Sequence, residues 1–252
     1  MMTEHPNIAN EDWRLQAIST LAKEFKSPWT GKIFPIGTAV ELVSDLHYSN
    51  KILSIPVPNM VSLFLDFSYN LWEDSQNIIE SERFTVEKED RLSVEDKNNL
   101  FNFLEKRMGS IVFSYTALES FANEIIPENY KIPGTNLKSI PNSLKSDFLD
   151  KNIAERNVNL GEKLDIILPN VLKIDSPKGT KVWQDYKTIK VLRDRIIHLK
   201  SIDRKSSRVE DETIWKELIV PDQKNIAVIS KDIIEYYYQK SEKPRWLEKW
   251  PY

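Results

Sequence analysis

Residues 93–126 read SVEDKNNLFNFLEKRMGSIVFSYTALESFANEII and carry the longest helical signal in the chain. Ser93 followed three residues later by Asp96 resembles a capping box, with Asp in place of the usual Glu or Gln. Apolar residues recur at helical spacing up to Pro127, which cannot continue a helix. The stretch therefore predicts one long helix from Ser93 to Ile126.

Most of the remaining sequence extends this helical prediction. The chain has 252 residues and only six glycines, and the alternation typical of strands is scarce. Further helices are predicted over residues 11–25, 59–79, 141–150, 159–168, 180–200 and 230–239. Residues 226–229 are predicted as a short strand or extended piece, and residues 55–58 as an extended connector. These patterns together predict an all-α fold class.

A charged segment divides this predicted fold. Residues 80–91 have no apolar period, which is typical of a linker between two parts of a chain. Residues 1–90 are therefore interpreted as an N-terminal helical region, to which the sequence assigns no role. Residues 91–252 are interpreted as the main helical domain.

Composition limits the classes of function. The net charge is −3, so any nucleic-acid site must be a local basic patch. The absence of cysteine excludes disulfides, thiolate zinc sites and cysteine nucleophiles, and no carboxylate cluster has metal-ligand spacing. We therefore expect no metal and no cofactor. The N-terminus lacks signal-peptide character, and no apolar run spans a membrane, so a cytoplasmic protein without membrane contact is expected.

The candidate chemistry lies in the helix predicted over residues 180–200, where the sequence reads Arg193-Asp194-Arg195-Ile196-Ile197-His198. Asp194 and His198 are four residues apart and so share one helix face. An imidazole titrates near neutral pH and a guanidinium binds phosphate well, so the pair suits RNA cleavage without a metal. The surrounding basic residues are candidates for RNA binding: Lys187, Lys190, Arg195 and Lys200.

A carboxylate on the long helix is a second anomaly. Glu119 lies in the middle of an apolar stripe, and Asn123 follows it one turn later on the same face. A buried carboxylate is costly unless it is paired, and Arg193 also lies on an apolar stripe. We therefore expect a Glu119–Arg193 contact. Two other interpretations remain open: the pair is only a structural clamp, and the basic residues form a solvated face.

The joint pattern resembles the HEPN superfamily of helical domains. The resemblance rests on the Arg193–His198 motif, on the segment 114–124 (SYTALESFANE) and on the segment 161–168 (GEKLDIIL). It covers roughly residues 92–200 and leaves residues 1–90 unexplained. It implies a helical bundle that forms a homodimer with a composite active site. Many HEPN proteins are metal-independent endoribonucleases of toxin–antitoxin or antiviral defence systems, and others are non-catalytic partners of nucleotidyltransferases.

The resemblance also implies roles for individual residues. His198 would be the general acid or base, Arg193 would bind the scissile phosphate, and Asp194 would orient His198. Glu119 and Asn123 would support this site. The products would be 2′,3′-cyclic phosphate and 5′-hydroxyl ends, and the implied partners are RNA, a second copy and an antitoxin or nucleotidyltransferase. The alternative is a non-catalytic HEPN-like module that binds a protein or a nucleotide.

Overall fold

The computed structural model describes residues 11–28, 30–81, 86–87, 91–133, 137–141, 148–219 and 224–252. The chain separates into two compact units. The first combines Met1–Leu63 with Pro244–Tyr252, and the second is Phe64–Lys243. The domain boundaries inferred from sequence, 1–90 and 91–252, remain a prediction.

The described part of the first unit is built mainly from short antiparallel strands. They are β1 (Ile18–Thr20), β2 (Phe25–Lys26), β3 (Ile33–Phe34), β4 (Ala39–Glu41), β5 (Val43–Tyr48) and β6 (Lys51–Pro56). Strand β1 pairs with β4, β2 with β3, and β5 with β6. Ser49 and Asn50 join β5 to β6 with φ angles of 46° and 63°. Positive φ at both central residues is what a two-residue type I′ hairpin turn requires.

The prediction of an all-α fold is wrong. Helix accounts for about 53% of the chain and strand for 13%, so the protein is mixed α/β. The helix predicted over residues 11–25 does not form, because its backbone groups bond to distant residues. The N–H of Gln16 donates to the carbonyl of Val57, and that of Leu21 to Thr38. The helical spacing of apolar residues in this segment is therefore overridden by long-range pairing.

Helices dominate the second unit. They are α1 (Met60–Ser81), which begins in the first unit, α2 (Val94–Ile125), α3 (Lys151–Asn157), α4 (Leu160–Glu162), α5 (Leu168–Leu172), α6 (Lys181–Ile197), α7 (Ile214–Leu218) and α8 (Ile226–Tyr236). A single π-helical turn, Lys163–Ile167, joins α4 to α5, and a 3₁₀ turn, Ser201–Arg204, follows α6. The described part of this unit also contains two short antiparallel strand pairs, Val86–Glu87 with Arg91–Leu92 and Ile132–Pro133 with Phe148–Leu149.

Helix α2 is the central element of this unit. It contacts α5, α6, α7 and α8, and its buried face includes Leu118 and Phe121. The Phe121 ring lies 5.6 Å from that of Tyr237, measured between ring centroids. A Cβ atom added to Gly109 would lie 3.0 Å from Cδ1 of Leu71, so glycine permits the close approach of α1 and α2. The core is therefore assembled around the helix that the sequence indicates most strongly.

The structure confirms some of the elements predicted for this unit and contradicts others. The helices predicted over residues 59–79, 93–126 and 180–200 are confirmed as α1, α2 and α6. The helix predicted from Asn159 begins there but does not end before Pro169, because Pro169 is tolerated in the first turn of α5. Residues 226–229 are helical, not extended, since Asn225 rather than Ser230 caps α8. The linker and the 141–150 helix lie partly outside the described residues, at 82–85, 88–90 and 142–147.

The cap of α2 yields a stability prediction. The Ser93 hydroxyl accepts a hydrogen bond from the N–H of Asp96 at 3.0 Å. Ser93→Ala should lower the free energy of unfolding by about 1 kcal/mol, because that N–H loses its partner. Urea unfolding would measure the change, and Ser93→Asp, which keeps an acceptor at this position, is the matched control. Equal stability of the alanine and aspartate variants would contradict the cap's importance.

In the described part of the chain, the helices are either too short or too polar to cross a membrane.

Candidate functional site

The Arg193–His198 motif forms the C-terminal end of α6. The Thr180 side chain caps the start of the helix by accepting from the N–H of Trp183. His198 is the C-terminal cap, and its N–H donates to the carbonyl of Asp194 at 2.9 Å. The His198 side chain is exposed. The last helical hydrogen bond of α6 therefore fixes the backbone of His198, while its imidazole is exposed to solvent.

Two open depressions lie along this helix. One, of about 370 Å³, is lined by Val191, Asp194, Arg195, His198 and Lys200. The other, of about 320 Å³, is lined by Gln184, Lys187, Thr188, Val191, Leu192 and Glu217. Because both include Val191, they adjoin each other. The structure thus places His198, Lys187 and Lys200, all predicted site residues, along one surface of the helical unit.

Asp194 is the electrostatic centre of the motif. Its carboxylate accepts hydrogen bonds from the ammonium group of Lys190 and from Nη1 of Arg193, the latter at 3.1 Å. Partial burial opposes ionisation, but these two cationic donors outweigh it and hold the pKa of Asp194 below its ordinary value. The side chain expected to orient His198 is thus engaged with Lys190 and Arg193, and it is the Asp194 backbone that contacts His198.

Arg193 is directed towards the interior of the unit. Its Cζ lies 4.7 Å from the ring centroid of the buried Tyr115, in a cation–π arrangement. The sequence predicted a contact between Glu119 and Arg193. Among the described residues, Arg193 forms its ion pair with Asp194, and no ion pair joins it to Glu119. The adjacent Asp194 offers a closer acceptor, so the expectation of this pair is wrong. Arg193 does not itself line the depression that contains His198, but it hydrogen-bonds Asp194, which does.

Two tyrosines that the sequence reasoning missed line this region. Tyr115 and Tyr186 are 8% and 2% exposed. Burial raises the pKa of both hydroxyls, and the negative charges of Glu119 and Asp194 add to the effect. Gly161 allows this packing, because a Cβ there would lie 3.1 Å from the Tyr186 hydroxyl oxygen. Both tyrosines therefore remain protonated, and the ring of Tyr115 supports the Arg193 guanidinium.

Lys163 is the second feature that the sequence reasoning missed. It begins the π-helical turn and is fully buried. Its ammonium donates to Oδ1 of Asn123 at 2.8 Å and to the carbonyl of Glu155 at 3.0 Å. Burial lowers its pKa, although Glu119 and Glu155 oppose that shift. Asn123 and Glu119, predicted to support the motif, thus interact with a buried lysine. A charged residue at helical spacing from Leu160 and Ile167, which are buried, was the available signal.

The lowered pKa of Lys163 predicts a pH dependence of stability. The unfolded chain binds a proton at this residue more tightly than the folded chain does. Between the lowered pKa and the ordinary 10.5, the contribution of Lys163 to the free energy of unfolding therefore rises with pH. We expect the stability of wild type minus that of Lys163→Met to increase as the pH is raised towards 10.5, the ordinary pKa of lysine.

Urea unfolding of both proteins at each pH would measure this difference. Subtracting the variant from wild type cancels the buried tyrosines, whose raised pKa values act in the opposite direction. A difference that does not change with pH would show that Lys163 has no lowered pKa.

Arg195 is held by the chain that follows the motif. Its guanidinium donates to Oδ1 of Asp203 at 3.1 Å, to the carboxylate of Glu217 and to the carbonyl of Glu212. The Asp203 carboxylate also accepts from the N–H of Ile214 at 2.8 Å. These contacts tie the 3₁₀ turn and α7 to α6. Arg195 was predicted to bind RNA, and its geometry favours a structural role instead.

An apolar depression of the helical unit is lined by other residues. It measures about 460 Å³ and lies between α2 and α7, where it is bordered by Leu100, Phe101, Leu104, Glu105, Met108, Trp215 and Ile219. A single carboxylate among apolar side chains offers no acid–base pair.

The described residues contain no cluster of three or more histidine, aspartate or glutamate side chains able to hold a metal ion. No family model, curated protein or solved structure matches this chain. A function must therefore be inferred from the residues of the site.

Proposed function

We propose that this protein is a metal-independent endoribonuclease of HEPN type that acts in toxin–antitoxin or antiviral defence. The observation that carries the proposal is the exposed His198, which borders a depression with Asp194 and Lys200 at the end of the helix that also bears Arg193. An exposed imidazole beside cationic side chains suits proton transfer at a phosphodiester.

The proposed reaction is an internal transesterification. His198 accepts the proton of a ribose 2′-hydroxyl, and the 2′-oxygen attacks the adjacent phosphorus. The bond from phosphorus to the 5′-oxygen breaks, and an imidazolium returns a proton to that oxygen. The products are a 2′,3′-cyclic phosphate and a 5′-hydroxyl, so the step balances without water. Arg193 stabilises the charge that develops on the phosphate oxygens.

We further propose that a homodimer forms the complete site. Within one chain, Arg193 lies over Tyr115 while the His198 side chain borders the open depression. A second copy facing this surface supplies its own His198 to the phosphate held by the first copy's Arg193. Lys187 and Lys200, both exposed, bind the flanking phosphates.

A second candidate function is a non-catalytic HEPN-like module that binds a protein or a nucleotide. The ion pairing of α6 favours it. Lys190 and Arg193 are paired with Asp194, and Arg195 with Asp203 and Glu217. Cations that are already neutralised attract an RNA backbone less strongly than free ones.

Incubation of the purified protein with mixed RNA in EDTA, followed by end-group analysis, tests the leading proposal. Cyclic-phosphate and 5′-hydroxyl ends are the expected result. RNA that stays intact in EDTA, together with a stoichiometric partner or nucleotide that copurifies with the protein, would favour the second candidate. Cleavage that appears only when Mg²⁺ is added would contradict the metal-independent mechanism.

A further inference from the structure

Lys190, Arg193 and Asp194 form a compact ionic group on α6. One carboxylate oxygen of Asp194, Oδ2, accepts from Lys190, and the other, Oδ1, accepts from Arg193. The two oxygens thus each have one cationic donor. A phosphodiester likewise presents two non-bridging oxygens, which are bonded to one phosphorus atom and share one negative charge. A guanidinium and an ammonium bind such oxygens well.

The two cations are held in place by different means. Arg193 lies against the buried ring of Tyr115, at 4.7 Å from its centroid, which fixes the guanidinium independently of Asp194. Lys190 is held by an i,i+4 ion pair to Asp194 on the helix surface. The site is therefore preorganised on the arginine side.

A phosphate can displace the Asp194 carboxylate from these two cations. The side chains of Lys190, Arg193 and Asp194 are 43%, 31% and 36% exposed, so solvent screens their ion pairs. A carboxylate on one rotatable side chain can turn away when a phosphate arrives. Because the pKa of Asp194 is lowered, its carboxylate is ionised at neutral pH. It therefore competes with a phosphate for Lys190 and Arg193.

We propose that Lys190 and Arg193 form a phosphodiester-binding site that the Asp194 carboxylate occupies until RNA displaces it. The inference rests on the proposed ribonuclease function and assigns Asp194 a role as internal counter-ion. It follows that Asp194 weakens RNA binding and limits the protein to substrates that bring further phosphates to Lys187 and Lys200.

Asp194→Asn tests this assignment, because it removes the charge and keeps the shape of the side chain. Asp185→Asn is the matched control: Asp185 forms an i,i+4 pair with Lys181 on the same helix, at 2.8 Å. The ligand is a 2′-O-methyl oligoribonucleotide, which lacks the attacking hydroxyl and cannot be cleaved. Binding is measured over a range of salt concentrations.

We expect Asp194→Asn to bind this oligonucleotide about tenfold more tightly than wild type, with a salt dependence steeper by about one counter-ion. Asp185→Asn should stay within about twofold of wild type, as its charge change frees no cation beside Arg193. Adding Arg193→Gln to Asp194→Asn should remove the gain. Equal binding by the Asp194 and Asp185 variants would overturn the inference.

RNA cleavage, measured separately, distinguishes this inference from the proposed function. Cleavage by wild type with no gain in binding by Asp194→Asn would leave the function standing and remove the counter-ion role. A gain in binding by Asp194→Asn, with no cleavage by any of these proteins, would keep the phosphodiester site and remove the ribonuclease.

Discussion

His198→Ala should lower the rate of RNA cleavage by about 10²- to 10⁴-fold, the usual range for loss of a general acid or base. His198 supplies the imidazole that the proposed mechanism uses for proton transfer at the end of α6. Because the side chain is exposed, its removal should leave the free energy of unfolding within about 0.5 kcal/mol of wild type. The loss of activity would therefore report chemistry and not misfolding.

The matched control is His47→Ala. His47 lies exposed in β5 opposite Ile52, so it tests the loss of a surface imidazole outside the α6 motif. Cleavage rates are compared in EDTA, with urea unfolding of each variant alongside. Wild-type cleavage by a folded His198→Ala protein would remove His198 from the mechanism, and equal losses in both variants would point to a contaminating or indirect effect.

Arg195→Ala should lower the free energy of unfolding by about 3–5 kcal/mol, as is typical when one partner of a buried ion pair is removed. The Arg195 side chain is 11% exposed and that of Asp203 is 0% exposed, so Asp203 would lose its cation within the protein. At about 2–4 °C per kcal/mol for a chain of this size, Tm should fall by roughly 10 °C.

Lys187→Ala is the control for this second prediction. Lys187 lies on the same helix, is exposed, and should change stability by less than about 0.5 kcal/mol. If Arg195→Ala does not fold, Arg195→Lys keeps the charge but loses the bidentate geometry, and an intermediate loss is expected. Unchanged stability of Arg195→Ala with weakened RNA binding would instead support the role first predicted for Arg195.

What the sequence determined by itself was local. The extent of α2, its cap at Ser93 and the position of the Arg193–His198 motif at the end of α6 follow from patterns within a few turns of one helix. Helical hydrogen bonds join residues four positions apart, and caps join neighbours, so a single stretch of sequence contains the necessary information.

The tertiary structure decided whatever depends on distant residues. Residues 11–25 are not helical, because their backbone donors pair with residues such as Thr38 and Val57. Among the described residues, Arg193 pairs with Asp194 and lies over Tyr115 but forms no ion pair with Glu119. The buried Lys163 meets Asn123 from another helix. Such contacts are set by how elements pack together, and burial determines which charged groups need a partner. No periodicity within one segment contains that information.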